Sequence, residues 1–191
     1  MVTVVGVWEV SAQRKGAFSP ETEEAMYMAI ENKPTITKDQ RVNDMRGAIE
    51  HRATWMYLLL DEMKKAGVDW ETVGRKAILR CGAFHGKTKF TQTEDLEVLG
   101  KEFANELFSK IFEMDVKELS RDKFVVEFHY CPLVAAWKKQ GASDKQCETL
   151  CDMAMDGDRG IVSAFPKFKF ELGDTIAKGG KGCMITISKT K

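Results

Sequence analysis

No run in this 191-residue sequence approaches the ~18 consecutive apolar residues of a membrane-spanning helix, which excludes a transmembrane segment. An excess of either charge is missing as well: Lys+Arg and Asp+Glu each number 29, so the formal net charge is zero. Without a segregated basic face, nucleic acid and anionic membrane surfaces are excluded as partners, and a small-molecule substrate is expected instead. Internal repeats, low-complexity tracts and linkers are absent. The stretch Gly179-Gly180-Lys181-Gly182 has no strand–loop–helix context and no Ser/Thr after the lysine, so it is not a phosphate loop. Asp152, Asp156 and Asp158 lack the third-position oxygen and distal Glu of a calcium loop. Met1 to Val10 is apolar but has no basic leader or small-residue cleavage site, so it does not read as a signal peptide.

What is present is material for a core, with 43% hydrophobic and 30% charged residues. The expected organisation is an amino-terminal arm over 1–18 and a single domain over 19–191. The apolar arm needs burial, which a homodimer would supply. Five cysteines are an odd number in a chain large enough to fold without disulfides, which points to a reducing cytoplasm and free thiols.

Ser19-Pro20-Glu21 starts a helix running to about Glu31. Thr37 is a candidate cap for a long helix from Lys38 to about Ala66, stopped by Gly67. Its inner face carries Val42, Met45, Ile49, Met56, Leu60 and Met63, with His51, Trp55 and Leu58 as a second buried flank. Asp69 caps a third helix lined by Trp70, Val73, Ala77, Cys81 and Phe84. Thr93 caps a fourth that buries Leu96, Leu99, Phe103, Leu107 and Ile111. The period then changes to two: 115–119 and 123–131 read as strands, with Phe124, Val126, Phe128 and Tyr130 on one face. Short helices follow from Pro132 and from Ser143. Strands follow from Pro166 and from Cys183, the last burying Cys183, Ile185 and Ile187. The expected class is α+β, a helical amino-terminal half packed on an antiparallel sheet formed mainly by the carboxy-terminal half.

Cys131 leaves a strand just before Pro132, at a helix start, where amide N–H groups and the helix field favour thiolate and should lower its pKa. Glu127, His129 and Cys131 alternate along the strand. They would serve as orienter, base and nucleophile, or as two or three metal ligands. The alternative is a small buried cap beside a satisfied surface histidine. Cys147 and Cys151 share a helix face at i,i+4, with Cys147 the more exposed. Cys81 and His85 also share one, and together with His51 they are candidate substrate-binding residues, core packing being the alternative. Cys183 reads as core unless the fold brings it to Cys131 or Cys151. In an alternative reading those three thiols, with or without His129 or Glu127, would hold a structural zinc in a non-catalytic ligand-binding or sensor domain; no other cofactor is indicated.

Several of these pieces, in order, resemble the L-2-amino-thiazoline-4-carboxylic acid hydrolase family. They are Cys131-Pro132, Leu150-Cys151, Pro166 before an aromatic strand, and Gly179 with Cys183 before the last strand. His51-Arg52-Ala53, the long helix ending at Gly67 and the run from Arg80 to Gly86 are similar to what members carry, so the likeness covers roughly 45–188. It implies a hydrolase of a cyclic C–N bond outside peptides, which adds water to an amidine-like carbon and yields a carbamoyl-cysteine. More distantly it implies the 4-vinyl reductase and TRAPP-type ligand-binding fold, in which a carboxy-terminal cysteine cluster can hold zinc. Lys181-Gly182 and Met184-Ile185, around the final cysteine, depart from the family pattern.

Overall fold

The computed structural model describes residues 29–190. The arm over 1–18 and most of the helix expected from Ser19 lie outside these residues, and 29–34 carry no helix. In chain order come α1 (Gln40–Lys65), α2 (Trp70–Thr88), α3 (Leu96–Phe103), α4 (Glu106–Phe112), β1 (Met114–Leu119) and β2 (Lys123–Phe128). Then follow α5 (Pro132–Lys139), α6 (Asp144–Ala154), α7 (Asp156–Ser163), β3 (Phe168–Leu172), a 3-10 turn (Ile176–Lys178) and β4 (Cys183–Lys189). The four strands pair antiparallel in the order β1-β2-β4-β3, so the chain is α+β with its helices mostly in the amino-terminal half.

Local chemistry accounts for most boundaries. Asp39, rather than Thr37, caps α1: its Oδ1 accepts the Val42 N–H at 3.1 Å. Asp69 caps α2 in the same way. The helix expected from Thr93 is two helices, because Asn105 takes an extended backbone and its Oδ1 accepts the Phe108 N–H, restarting the chain as α4. α6 opens on a full capping box between Ser143 and Gln146. α7, absent from the sequence reading, follows α6 directly through Met155.

Two buried faces differ from expectation. On α1, Val42, Ile49, Ala53 and Leu60 are inside, but His51 is exposed and Trp55 and Leu58 are 64% and 46% exposed. One side of the helix is used, against α5, where Trp137 Nε1 donates to the Ala53 carbonyl at 3.1 Å. On α2 the buried positions are Gly74, Gly82 and Gly86, not the apolar stripe. A Cβ at Gly82 would collide with the Gly157 carbonyl and the Gly160 Cα, and one at Gly86 with Ile161 and Ala164. The α2 and α7 backbones therefore meet across a seam with no room for side chains, and Cys81 and Phe84 are turned outward.

The interior has two larger parts beside a small cluster of Val42, Ile49 and Ile111 between α1 and α4. One lies under the sheet, where Phe124, Val126, Phe128, Cys183, Ile185 and Ile187 meet Leu96, Leu99 and Phe103 of α3. The other surrounds Trp137 and includes Ala53, Leu60, Val134, Cys147, Leu150 and Cys151. Cys131 and Ile30 touch both.

Candidate functional site

Cys131 is the N-cap of α5, with Pro132 at the first helical position. Its backbone is gripped on both sides by one side chain. Asn32 Nδ2 donates to the Cys131 carbonyl and Asn32 Oδ1 accepts the Cys131 N–H, each at 2.8 Å. The helix start was expected to lower the thiol pKa, and the opposite holds. Burial pushes Cys131 up from the ordinary 9.0, and the backbone amides of Val134 and Leu133 pull back too weakly to reverse it. The sulfur makes no capping hydrogen bond. Loss of water outweighs the helix field.

The side chains of Glu127 and His129, expected to act with Cys131, have Lys117 and Asp115 as their partners. β2 ends at Phe128, so the alternation that would align residue 131 with 127 and 129 stops short. His129 Nε2 instead pairs with Asp115 Oδ2 at 3.0 Å and lies 3.7 Å from Glu127 Oε2, on the partly exposed face of the sheet. His51 is exposed and stacks edge-on against Trp55. Cys81 is exposed on the outer side of α2. Cys147, expected to be the more exposed of its pair, is fully buried, and burial pushes its thiol up to about 11.

Cys151 and Cys183 do gather near Cys131. Burial raises Cys151, and the neighbouring Cys131 and Cys183 add to the rise. Burial and Cys131 push Cys183 up to about 12, although its Sγ accepts the Ile176 N–H at 3.2 Å. The three sulfurs are neighbours without being a ligand set. Among the described residues, the group whose ligand atoms converge within 4.8 Å is Asp115, Glu127 and His129. Beside Cys151 lies Thr175, 1% exposed, whose side chain pulls the Cys151 thiol down against that burial.

Two groups that sequence reasoning missed act on this interior. Asp158 of α7 is raised from 3.8 to about 7 by burial, against the pull of Arg52 and Arg159. Asp158 opposes ionisation of Cys131, and Arg52 of α1 favours it. His85, the remaining candidate, is lowered by burial and by Lys89 and Arg52, so it borders the same charge. Arg52 of α1 thus bears electrostatically on His85 of α2, Cys131 at the start of α5 and Asp158 of α7. The sequence signals were present but differently read: Asp158 as part of a failed calcium loop, Arg52 only within the His51-Arg52-Ala53 stretch of the family likeness. The arrangement sets a buried thiol and a carboxyl that takes up a proton near neutral pH within the influence of the exposed Arg52 cation.

No curated protein matches the chain. A solved structure, the trafficking protein particle complex subunit 3 from Naegleria fowleri covalently bound to palmitic acid, is similar with a TM-score of 0.50 at 12% identity. That similarity covers 74% of this chain and 95% of the other, and it concerns the fold. The family model described as L-2-amino-thiazoline-4-carboxylic acid hydrolase matches residues 46–187, which span Arg52, the α2–α7 seam, Cys131, Asp158 and Cys183. The chain therefore belongs to the L-2-amino-thiazoline-4-carboxylic acid hydrolase family.

Proposed function

We propose that the chain hydrolyses a small cyclic amidine-like substrate carrying a carboxylate, as its family description implies, where Cys131, Asp158 and Arg52 bear on one another. The observation behind this reading is that the Asp158 charge opposes the Cys131 thiolate while Arg52 favours both anions. Desolvation keeps the Cys131 thiol protonated near neutral pH, where the Asp158 carboxyl is about half ionised. A carboxyl near 7 is suited to take up a proton and return it.

In the proposed reaction the Cys131 sulfur adds to the sp² carbon of the ring while its proton moves to Asp158. Asp158 then delivers that proton to the ring nitrogen as the C–N bond breaks. Water attacks the resulting S-linked carbon, supplies the carbonyl oxygen of the carbamoyl product, and returns the thiol. Arg52 holds the substrate carboxylate. His129 and Glu127 take no part in this scheme.

The test is turnover of 2-amino-thiazoline-4-carboxylate, followed as ring opening by mass spectrometry. Cys131→Ala and Asp158→Asn should each lose about 100-fold or more in kcat, while His129→Ala stays within about twofold of the parent. Iodoacetamide should label exposed Cys81 first and Cys131 slowly at pH 7.5. Full turnover by Cys131→Ala would overturn the nucleophile. Substrate binding without turnover by the parent protein would leave a binding domain instead.

A further inference from the structure

On the face of the sheet turned away from the core, β1 and β2 bring Asp115, Glu127 and His129 together. Asp115 and Glu127 are direct cross-strand partners, and His129 follows Glu127 by two residues, so three side chains of metal-ligating type rise from one patch. His129 Nε2 lies 3.0 Å from Asp115 Oδ2 and 3.7 Å from Glu127 Oε2, and all three ligand atoms fall within 4.8 Å of one another. Ligands around one zinc ion, at bonds of about 2.0–2.2 Å, stand roughly 3.3–3.5 Å apart, so the side chains need only small rotations to share an ion.

Three further features bear on what this patch takes. A cation already attends it: Lys117 Nζ reaches Glu127 Oε2 at 2.9 Å and Asp115 Oδ2 at 3.3 Å. The β1–β2 register slips between Val116 and Glu118, which leaves Lys117 as the extra residue of a bulge. Gly182 makes room for the Glu127 carboxylate, because a Cβ there would stand 2.8 Å from its Oε1. Asp115 and His129 also line a surface depression of about 520 Å³, together with Thr35, Ser109 and Met114.

We propose that Asp115, Glu127 and His129 form a surface site for a borderline divalent metal ion of the zinc class, which displaces the Lys117 ammonium and keeps open positions toward the depression. One imidazole and two carboxylates give mixed N/O ligation that suits zinc and its first-row neighbours better than calcium. The two carboxylates neutralise the ion's charge, and the exposed setting avoids a desolvation penalty. The site stands apart from the Cys131 interior and does not depend on the hydrolase reading.

The experiment is titration of the full chain with Zn²⁺ by calorimetry and with Co²⁺ by absorption spectroscopy. One ion should bind per chain, and Co²⁺ should give d–d bands without the near-ultraviolet charge transfer that thiolate ligands produce. His129→Ala and Asp115→Asn should weaken binding about tenfold or more, and Lys117→Met, which removes the competing cation, should tighten it. Circular dichroism of each variant checks that the fold is retained. The proposal is overturned if the parent binds no ion, if His129→Ala binds as tightly, if Lys117→Met weakens binding, or if the Co²⁺ spectrum shows thiolate ligation.

Discussion

Arg46 and Glu113 form an ion pair at 3.0 Å with only 6% and 8% of their side chains exposed. Arg46 also donates to the carbonyls of Ile111, Ile36 and Lys110, and its guanidinium lies over the Tyr130 ring. Glu113 sits in the left-handed region at φ 51° at the end of α4 and accepts the N–H groups of Thr35 and Ile36. The pair ties the segment before α1 to the junction of α4 and β1.

Removing either partner strands the other charge inside. Arg46→Met or Glu113→Gln should cost about 3–5 kcal/mol in urea unfolding. Burial pushes the Glu113 carboxyl up, but hydrogen bonds from Ile36, Thr35 and Arg46 prevail and hold it below its ordinary 4.5. A depressed carboxyl stabilises the fold above its unfolded value and loses that contribution as pH falls through the folded one. The parent should therefore lose stability below about pH 4, and Glu113→Gln should lose less.

Asp158 has the reverse sign. Its folded pKa of about 7 lies above its ordinary 3.8, so the fold favours the protonated acid. That contribution is complete below the unfolded value and disappears as pH rises toward 7. Asp158→Asn should match the parent near pH 4 and exceed it in melting temperature by a growing margin up to pH 8. An equal margin at every pH would show that the carboxyl titrates normally.

The α2–α7 seam supplies a third expectation. Gly82→Ala should push the two helices apart and destabilise the protein by about 3 kcal/mol, since the new methyl meets backbone atoms that cannot rotate away. Gly47→Ala, on α1 with nothing near its Cβ, is the control and should be neutral or slightly stabilising.

Where a residue's role follows from its neighbours in sequence, the structure agrees with the reading. Phe124, Val126, Phe128, Ile185 and Ile187 alternate and are buried, and Pro132 and Ser143 begin helices. Roles that depend on what packs opposite were hidden. The stripe of Val73, Cys81 and Phe84 reads as a core face, yet Gly74, Gly82 and Gly86 hold that place because α7, itself unforeseen, fits only against bare backbone. The thiol at 131 was found from the Cys-Pro step, but its ionisation was misjudged, because a local pattern reports the amides of α5 and not the depth of the surrounding core. Asp158 and Arg52 lie far from Cys131 in sequence, and no spacing links them.

Asn32 acts toward Cys131 as a neighbouring strand would, offering one acceptor and one donor to the same main-chain unit. The leading part of the chain therefore has a direct mechanical hold on the peptide group carrying the sulfur. A protein shortened to begin at residue 33 would leave that N–H and carbonyl to find other partners, and the thiol's orientation would go with them. Fusions or truncations that disturb Asn32 should therefore be judged by the behaviour of that sulfur.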